Sequence, residues 1–372
     1  MEGAGALTEP NPSVVVLIDD DEEHLARLGE SMREAVSADE AVIETWFPIE
    51  TDNFYERLEE FKAAGAKLVI SDLDLTRRGL TGSSGAAVSS WFQSELIPVG
   101  VFSVKHATML PSVPELFELR VPTEVDKASS FAVATLRGFR QLRELLDSRR
   151  DEVSSMRSPA QVLANLLGRG HLEGQFALYM ARLGASGSTV TDRLRGTAVS
   201  GEDAAPDRNA MLAYVLGHVL WNLILRFPGP ILSARALCAY LATARKESDA
   251  LAGLFVDAEY LGPFCDGGPF YWREDIDSRL YAAFDGEGGI EFETLGLFNR
   301  AAAERLLGRE LARHECTRCD GKNGGFLCPV TDRPVCELAE CSVSASSWIP
   351  AGAEVCRIER NFYEEWAPLL GL

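Results

Sequence analysis

The sequence predicts an α/β domain, then a mostly α region, then a small cysteine-rich module. Three observations carry that prediction. Through residue 150, short β-branched apolar runs alternate with segments whose apolar residues recur at helical spacing. From Pro159 to residue 312 the spacing is helical almost throughout. Six of the eight cysteines lie after residue 315. At 372 residues the chain exceeds one typical domain. The expected divisions are a disordered N-terminus over 1–12, the α/β domain over 13–150, a helical domain over 151–312 and the cysteine-rich module over 313–372.

Val14–Ile18 reads as the first strand, and "DEEHLARLGESMREAV" after it carries Leu25, Leu28 and Met32 on one helical face. Ala41–Phe47 is a second strand. "DNFYERLEEFKAAG" is a helix with Phe54, Leu58 and Phe61 inward, closed by Gly65. "KLVIS" is a third strand, Gly85–Phe92 a helix, Ile97–Ser103 a fourth strand and Leu116–Val121 a fifth. A long helix follows from Val125 to Arg149, with Phe131, Leu136, Phe139, Leu142 and Leu146 as its apolar stripe. This (βα)5 alternation implies a parallel, doubly wound sheet with helices on both faces.

Such sheets collect ligands at the carboxyl ends of their strands. Asp19, Asp20 and Asp21 end the first strand, Asp72 the third with Asp74 two residues on, and Ser103 the fourth. Crowded carboxylates repel, and an oxygen-seeking cation such as Mg²⁺ relieves the repulsion. Asp19, Asp20 and Asp72 are therefore expected to form one Mg²⁺ site with the Ser103 hydroxyl on its rim. The competing expectation is that each aspartate only caps the next helix.

"VLIDDDEEHLARL", "LVISDLDLTRRGLTG" and "PVGVFS" resemble the signature blocks of the response-regulator receiver domain over residues 13–150. The resemblance implies that Asp19 and Asp20 hold Mg²⁺, that Asp72 is the phospho-acceptor and that Ser103 is the switch hydroxyl. The chain also departs from the pattern. A receiver has a lysine before the proline that ends strand five; here Val121 precedes Pro122, and Arg120 is one place early, on the opposite side of the strand. The segment between Ser103 and strand five is short and broken by Pro111 and Pro114, which predicts a stunted fourth helix. These departures imply a degenerate receiver that binds Mg²⁺ but phosphorylates weakly or not at all. "VISDLDLT" is also similar to the first motif of haloacid-dehalogenase-like phosphatases, where Asp72 would be nucleophile and Asp74 general acid/base. That family needs an acidic pair after Ser103, whereas Asp19 and Asp20 precede it.

In the middle region, "AQVLANLLG", "GQFALYMARLG", "MLAYVLGHVLWNLILRF" and "RAAAERLLGRELARH" read as helices, and Gly184–Asp207 as a polar loop. The most apolar stretch, Ala210–Leu225, contains His218 and Asn222 and is shorter than the ~20 apolar residues that span a bilayer. It reads as a buried core helix. The aromatic Tyr260–Tyr281 reads as a packed loop, with the wing of a winged-helix unit as the alternative.

At the C-terminal end, Cys316-x2-Cys319 forms a knuckle that lets two thiolates reach one ion, and Zn²⁺ takes four such ligands. A zinc-ribbon-like site is expected from Cys316 and Cys319 with two of Cys328, Cys336 and Cys341; the favoured second pair is Cys328 with either of the others, and His314 is the weaker choice. The zinc would be structural.

The net charge of −20 sets nucleic acid and anionic membrane surfaces low as partners. No basic, apolar leader is visible, so the expected compartment is the cytoplasm. Together with the resemblance, these features lead to an atypical response-regulator-like signalling or adaptor protein, with reduced or absent phosphorelay. It would act by association with protein partners, a histidine kinase or a second copy in a homodimer. The alternatives are an Mg²⁺-dependent phosphatase and a DNA-binding regulator using the winged-helix or zinc module.

Overall fold

The computed structural model describes residues 12–49, 53–75, 84–102, 116–181, 207–284, 292–316, 318–321, 323–345 and 347–370. Ser103, the proline-broken segment after it, the N-terminal residues 1–11 and nearly all of the polar Gly184–Asp207 stretch lie outside the described residues. The chain divides into two compact units: Met1–Leu110 with Phe117–Arg140 and Ser188–Tyr214, and Pro111–Leu116 with Gln141–Gly187 and Val215–Leu372.

In the first unit, β1 (Ser13–Ile18), β2 (Ala41–Trp46), β3 (Ala66–Asp72), β4 (Val99–Phe102) and β5 (Glu118–Arg120) form one parallel sheet in the order β2-β1-β3-β4-β5. That is the flavodoxin-like strand order. It predicts a crevice between β1 and β3, because the chain leaves these two neighbours in opposite directions. The helices are α1 (Glu22–Ala35), α2 (Phe54–Ala63), α3 (Gly85–Ser94) and α4 (Val125–Ser148), the last belonging to this unit as far as Arg140.

The central strands are buried on both faces, which is why β1 reads as an unbroken apolar run, whereas the edge strand β2 alternates buried and exposed residues. Val14, Val16 and Ile18 pack with Leu58 and Phe61 of α2 and with Val88 and Phe92 of α3. Val15 and Leu17 point the other way and are fully buried. On that side α1 lies so close to β2 that a Cβ at Gly29 would stand 3.2 Å from the Thr45 methyl.

Glu40, in the turn before β2, ties α4 to this face. It accepts Arg137 Nε at 2.8 Å and Nη2 at 2.9 Å, and Arg140 Nη2 at 3.0 Å. The Arg137 hydrogen bonds hold its carboxyl below the ordinary glutamate range, with Arg140 adding to the effect. The fork geometry makes this pair stronger than a typical surface ion pair. Glu40→Gln is expected to cost about 1 kcal/mol of stability, read from the urea midpoint; an unchanged midpoint would show the pair to be screened.

The second unit is mostly helical. α5 (Arg150–Ser155), α6 (Pro159–Leu166) and α7 (Glu173–Met180) come first. α8 (Arg208–His218), which belongs to this unit from Val215 on, continues into a π-helical turn over Val219–Ile224. The expected apolar core segment is therefore buried, and among the described residues no helix is long and apolar enough to cross a membrane. β6 (Ile231–Ser233) pairs antiparallel with β7 (Phe270–Trp272), and α9 (Ala234–Tyr240) and α10 (Ser248–Leu254) lie between them in sequence.

The aromatic Tyr260–Tyr281 stretch is not a plain loop. It supplies β7 and then α11 (Arg273–Ala282), a helix with acidic residues in its first turn and only Ile276 and Leu280 buried. Two apolar positions in a charged run leave too faint a period to read. α12 (Leu295–Leu307) ends at Gly308, whose φ of +67° is the left-handed conformation that closes many helices.

The cysteine-rich end contains the hairpin of β8 (Gly325–Leu327) and β9 (Pro334–Cys336), then β10 (Ser342–Val343) paired with β11 (Ile358–Glu359), and α13 (Arg360–Trp366). Leu327 and Val355 enter the same core as Leu237, Leu251, Phe255 and Leu280. This end therefore shares its core with the helices before it.

Candidate metal centres

Two clusters of metal-ligating side chains stand out among the described residues. The first sits in the crevice that the strand order creates. Asp19 and Asp20 follow β1, Asp72 ends β3, and one carboxylate oxygen from each lies within 4.8 Å of the others. Octahedral Mg²⁺ at ~2.1 Å holds its ligands about 3 to 4 Å apart, so three oxygens this close suit one such ion after a small adjustment. Asp19 and Asp20 are buried, and Asp72 is half-buried.

The capping alternative holds for Asp21, which accepts His24 N–H at 3.1 Å at the start of α1. Asp19, Asp20 and Asp72 face one another instead. Burial pushes the Asp72 carboxyl up to about 6; the Asp74 N–H, donated at 3.2 Å, opposes this, and the charges of Asp19 and Asp20 add to it. A carboxylate that resists ionisation in the bare protein is what a cation would relieve.

Strand five contributes no lysine at its end: Val121 is buried there, and Arg120 is exposed. A basic group comes from α1 instead. His24 Nδ1 lies 2.5 Å from Asp19 Oδ2. The Asp19 hydrogen bond raises the imidazole pKa against the effect of burial, and the charges of Asp19, Asp21 and Asp72 reinforce it. Sequence reasoning missed His24. The available signal was its place one turn into α1, where a helical side chain leans back toward the N-terminus and hence toward the strand ends.

The second cluster is Cys316, Cys319, Cys336 and Cys341, whose sulfurs all lie within 4.8 Å of one another. Sγ of Cys316 and Cys341 are 3.8 Å apart, and those of Cys319 and Cys336 are 3.6 Å apart. A disulfide needs about 2 Å, whereas a tetrahedral ion with bonds of about 2.3 Å separates its thiolates by about 3.8 Å. All four are free cysteines, so the four could hold a metal ion.

The first knuckle turns through Asp320 and Gly321, both at positive φ. Glycine is needed at 321, since a Cβ there would meet the His314 carbonyl at 2.4 Å. Burial opposes ionisation of Cys319, but backbone N–H groups of Asn323 and Gly321 and the thiols of Cys316 and Cys336 outweigh it, and its pKa falls below that of a free thiol. Burial pushes Cys336 up to about 11 and raises Cys341 as well, with crowding among the sulfurs adding to the latter. A bound cation inverts that repulsion.

Cys328 is not in the cluster, which corrects the expected second pair to Cys336 with Cys341. Cys336 lies opposite Gly325 in the hairpin, so Cys328 is three residues farther along, roughly 10 Å away at about 3.3 Å per residue. Its sulfur instead accepts Glu359 N–H at 3.3 Å. His314 is also outside the four; it is buried, and burial lowers its pKa to about 4.

Compared with protein-family models, curated proteins and solved structures, the chain matches none of them.

Proposed function

We propose that the first unit is a receiver-like signalling module with a degenerate Mg²⁺ site, in a protein that acts by associating with other proteins. The convergence of Asp19, Asp20 and Asp72 in the crevice between β1 and β3 carries this reading. Asp19, Asp20 and Asp72 would hold Mg²⁺, which would supply the charge that draws a phosphoryl group or its mimic to Asp72. Val121 in place of the strand-five lysine supports weak or absent phosphotransfer. The cysteine cluster is read as a structural zinc site, because four thiolates suit this soft tetrahedral ion and its fold-sized role.

The test uses the full chain. Mg²⁺ binding is expected by calorimetry and is lost in Asp20→Asn. Beryllofluoride with Mg²⁺ is expected to bind and to change the apparent size of the protein on a sizing column, while acyl phosphate leaves little phosphorylated mass. Absence of Mg²⁺ binding would overturn the reading. Turnover of a chromogenic phosphate ester, lost in Asp74→Asn, would replace it with the phosphatase.

A further inference from the structure

We infer that His24 is the resident occupant of the acidic site and that a divalent cation binds only by displacing it. This rests on the Mg²⁺ reading above and concerns how that site is controlled. His24 Nδ1 stands 2.5 Å from Asp19 Oδ2, placed to donate its N–H to that carboxylate oxygen. The other Asp19 oxygen accepts Asp21 N–H at 2.9 Å. Each oxygen of one proposed ligand thus already accepts one hydrogen bond from the protein itself, and the imidazole stands beside the lone pair that remains on Oδ2.

The ring reaches farther than Asp19. Its centroid lies 5.0 Å from that of Phe102, the last residue of β4. β3 runs between β1 and β4, so a ring with neighbours at the ends of both lies on the side of the crevice near the end of β3, where Asp72 stands. His24 also lines a cavity of about 650 Å³ between α1 and the start of α4, with Arg27, Ser31, Thr123 and Glu124 on its walls. That space receives the ring when it leaves Asp19. Two arrangements follow: imidazole on Asp19 in the metal-free protein, or cation on Asp19 with His24 turned into the cavity. The missing strand-five lysine is replaced by a group that competes with the metal rather than assisting it.

The experiment titrates Mg²⁺ alone into full-length wild type, His24→Ala and His24→Met at one pH, by calorimetry. Mg²⁺ is expected to bind both variants about tenfold or more tightly than wild type, as one charge-assisted hydrogen bond no longer has to be broken. In Mg²⁺-free buffer both variants are expected to melt below wild type, with added Mg²⁺ closing the gap. The methionine variant keeps volume and helix propensity, so a folding failure of the alanine variant leaves the test intact. Unchanged or weaker Mg²⁺ affinity in the variants overturns the displacement inference and leaves the Mg²⁺ reading standing. Absence of binding in wild type and variants alike overturns both. Binding that persists in Asp20→Asn is non-specific and counts as absence.

Discussion

Serine at Cys336 is expected to strip the C-terminal end of its metal and to lower its melting transition by on the order of 10 °C. Cys336 is fully buried and ends β9, so its thiolate would join the hairpin to a bound ion and through it to the knuckle of Cys316 and Cys319. Structural zinc contributes roughly 10 to 16 kcal/mol in isolated finger peptides. The loss is smaller here, because Leu327 and Val355 still anchor this end in the shared core. A net loss of about 3 to 4 kcal/mol corresponds to a shift of roughly 10 °C for a unit of this size. Elemental analysis is expected to fall from one zinc per chain to none in Cys336→Ser, and to stay at one in Cys328→Ser. Wild type purified without chelator that carries no zinc, or a Cys336→Ser protein that keeps it, would refute the assignment.

Asp72→Asn is expected to abolish Mg²⁺ and beryllofluoride binding while stabilising the Mg²⁺-free protein. The sign follows from linkage. The folded pKa, pushed up to about 6, lies above the unfolded value near 3.8, so the folded state holds the proton more tightly. That contribution is fully present below the unfolded pKa and is lost as pH rises through the folded one. Wild type and variant should match near pH 4. By pH 7.5 the variant should be ahead by about 2 kcal/mol, allowing for partial solvent screening. Denaturation in Mg²⁺-free buffer from pH 4 to 8 measures the gap. Saturating Mg²⁺ should close or reverse it, since only wild type gains from the ion. A gap that is constant with pH would mean that the Asp72 charge is not strained.

The (βα)5 alternation was legible because β1, β3 and β4 are apolar runs buried on both faces, β2 alternates buried and exposed residues, and the helices between them carry apolar stripes. The positions of Asp19, Asp20 and Asp72 at strand ends were legible for the same reason: chain polarity in a parallel sheet sends every strand's carboxyl end to one edge. α11 was not legible, since its burial depends on two residues in a charged run. The thiol pairing was half legible. Cys316-x2-Cys319 is local, and local spacing determines whether two sulfurs can reach one ion. Choosing among Cys328, Cys336 and Cys341 required the hairpin register, which sets which side chains stand across from each other.

The sequence alone determined the strand–helix order, the acidic strand ends, valine before Pro122 and the Cys316-x2-Cys319 knuckle, all of which arise from periodicity or spacing within a few residues. Only the tertiary structure decided that His24 lies on Asp19, that Cys336 and Cys341 complete the sulfur cluster and that the cysteine-rich end shares the helical core. Those are contacts between separate turns and strands, and they depend on directions of side chains that no local pattern encodes.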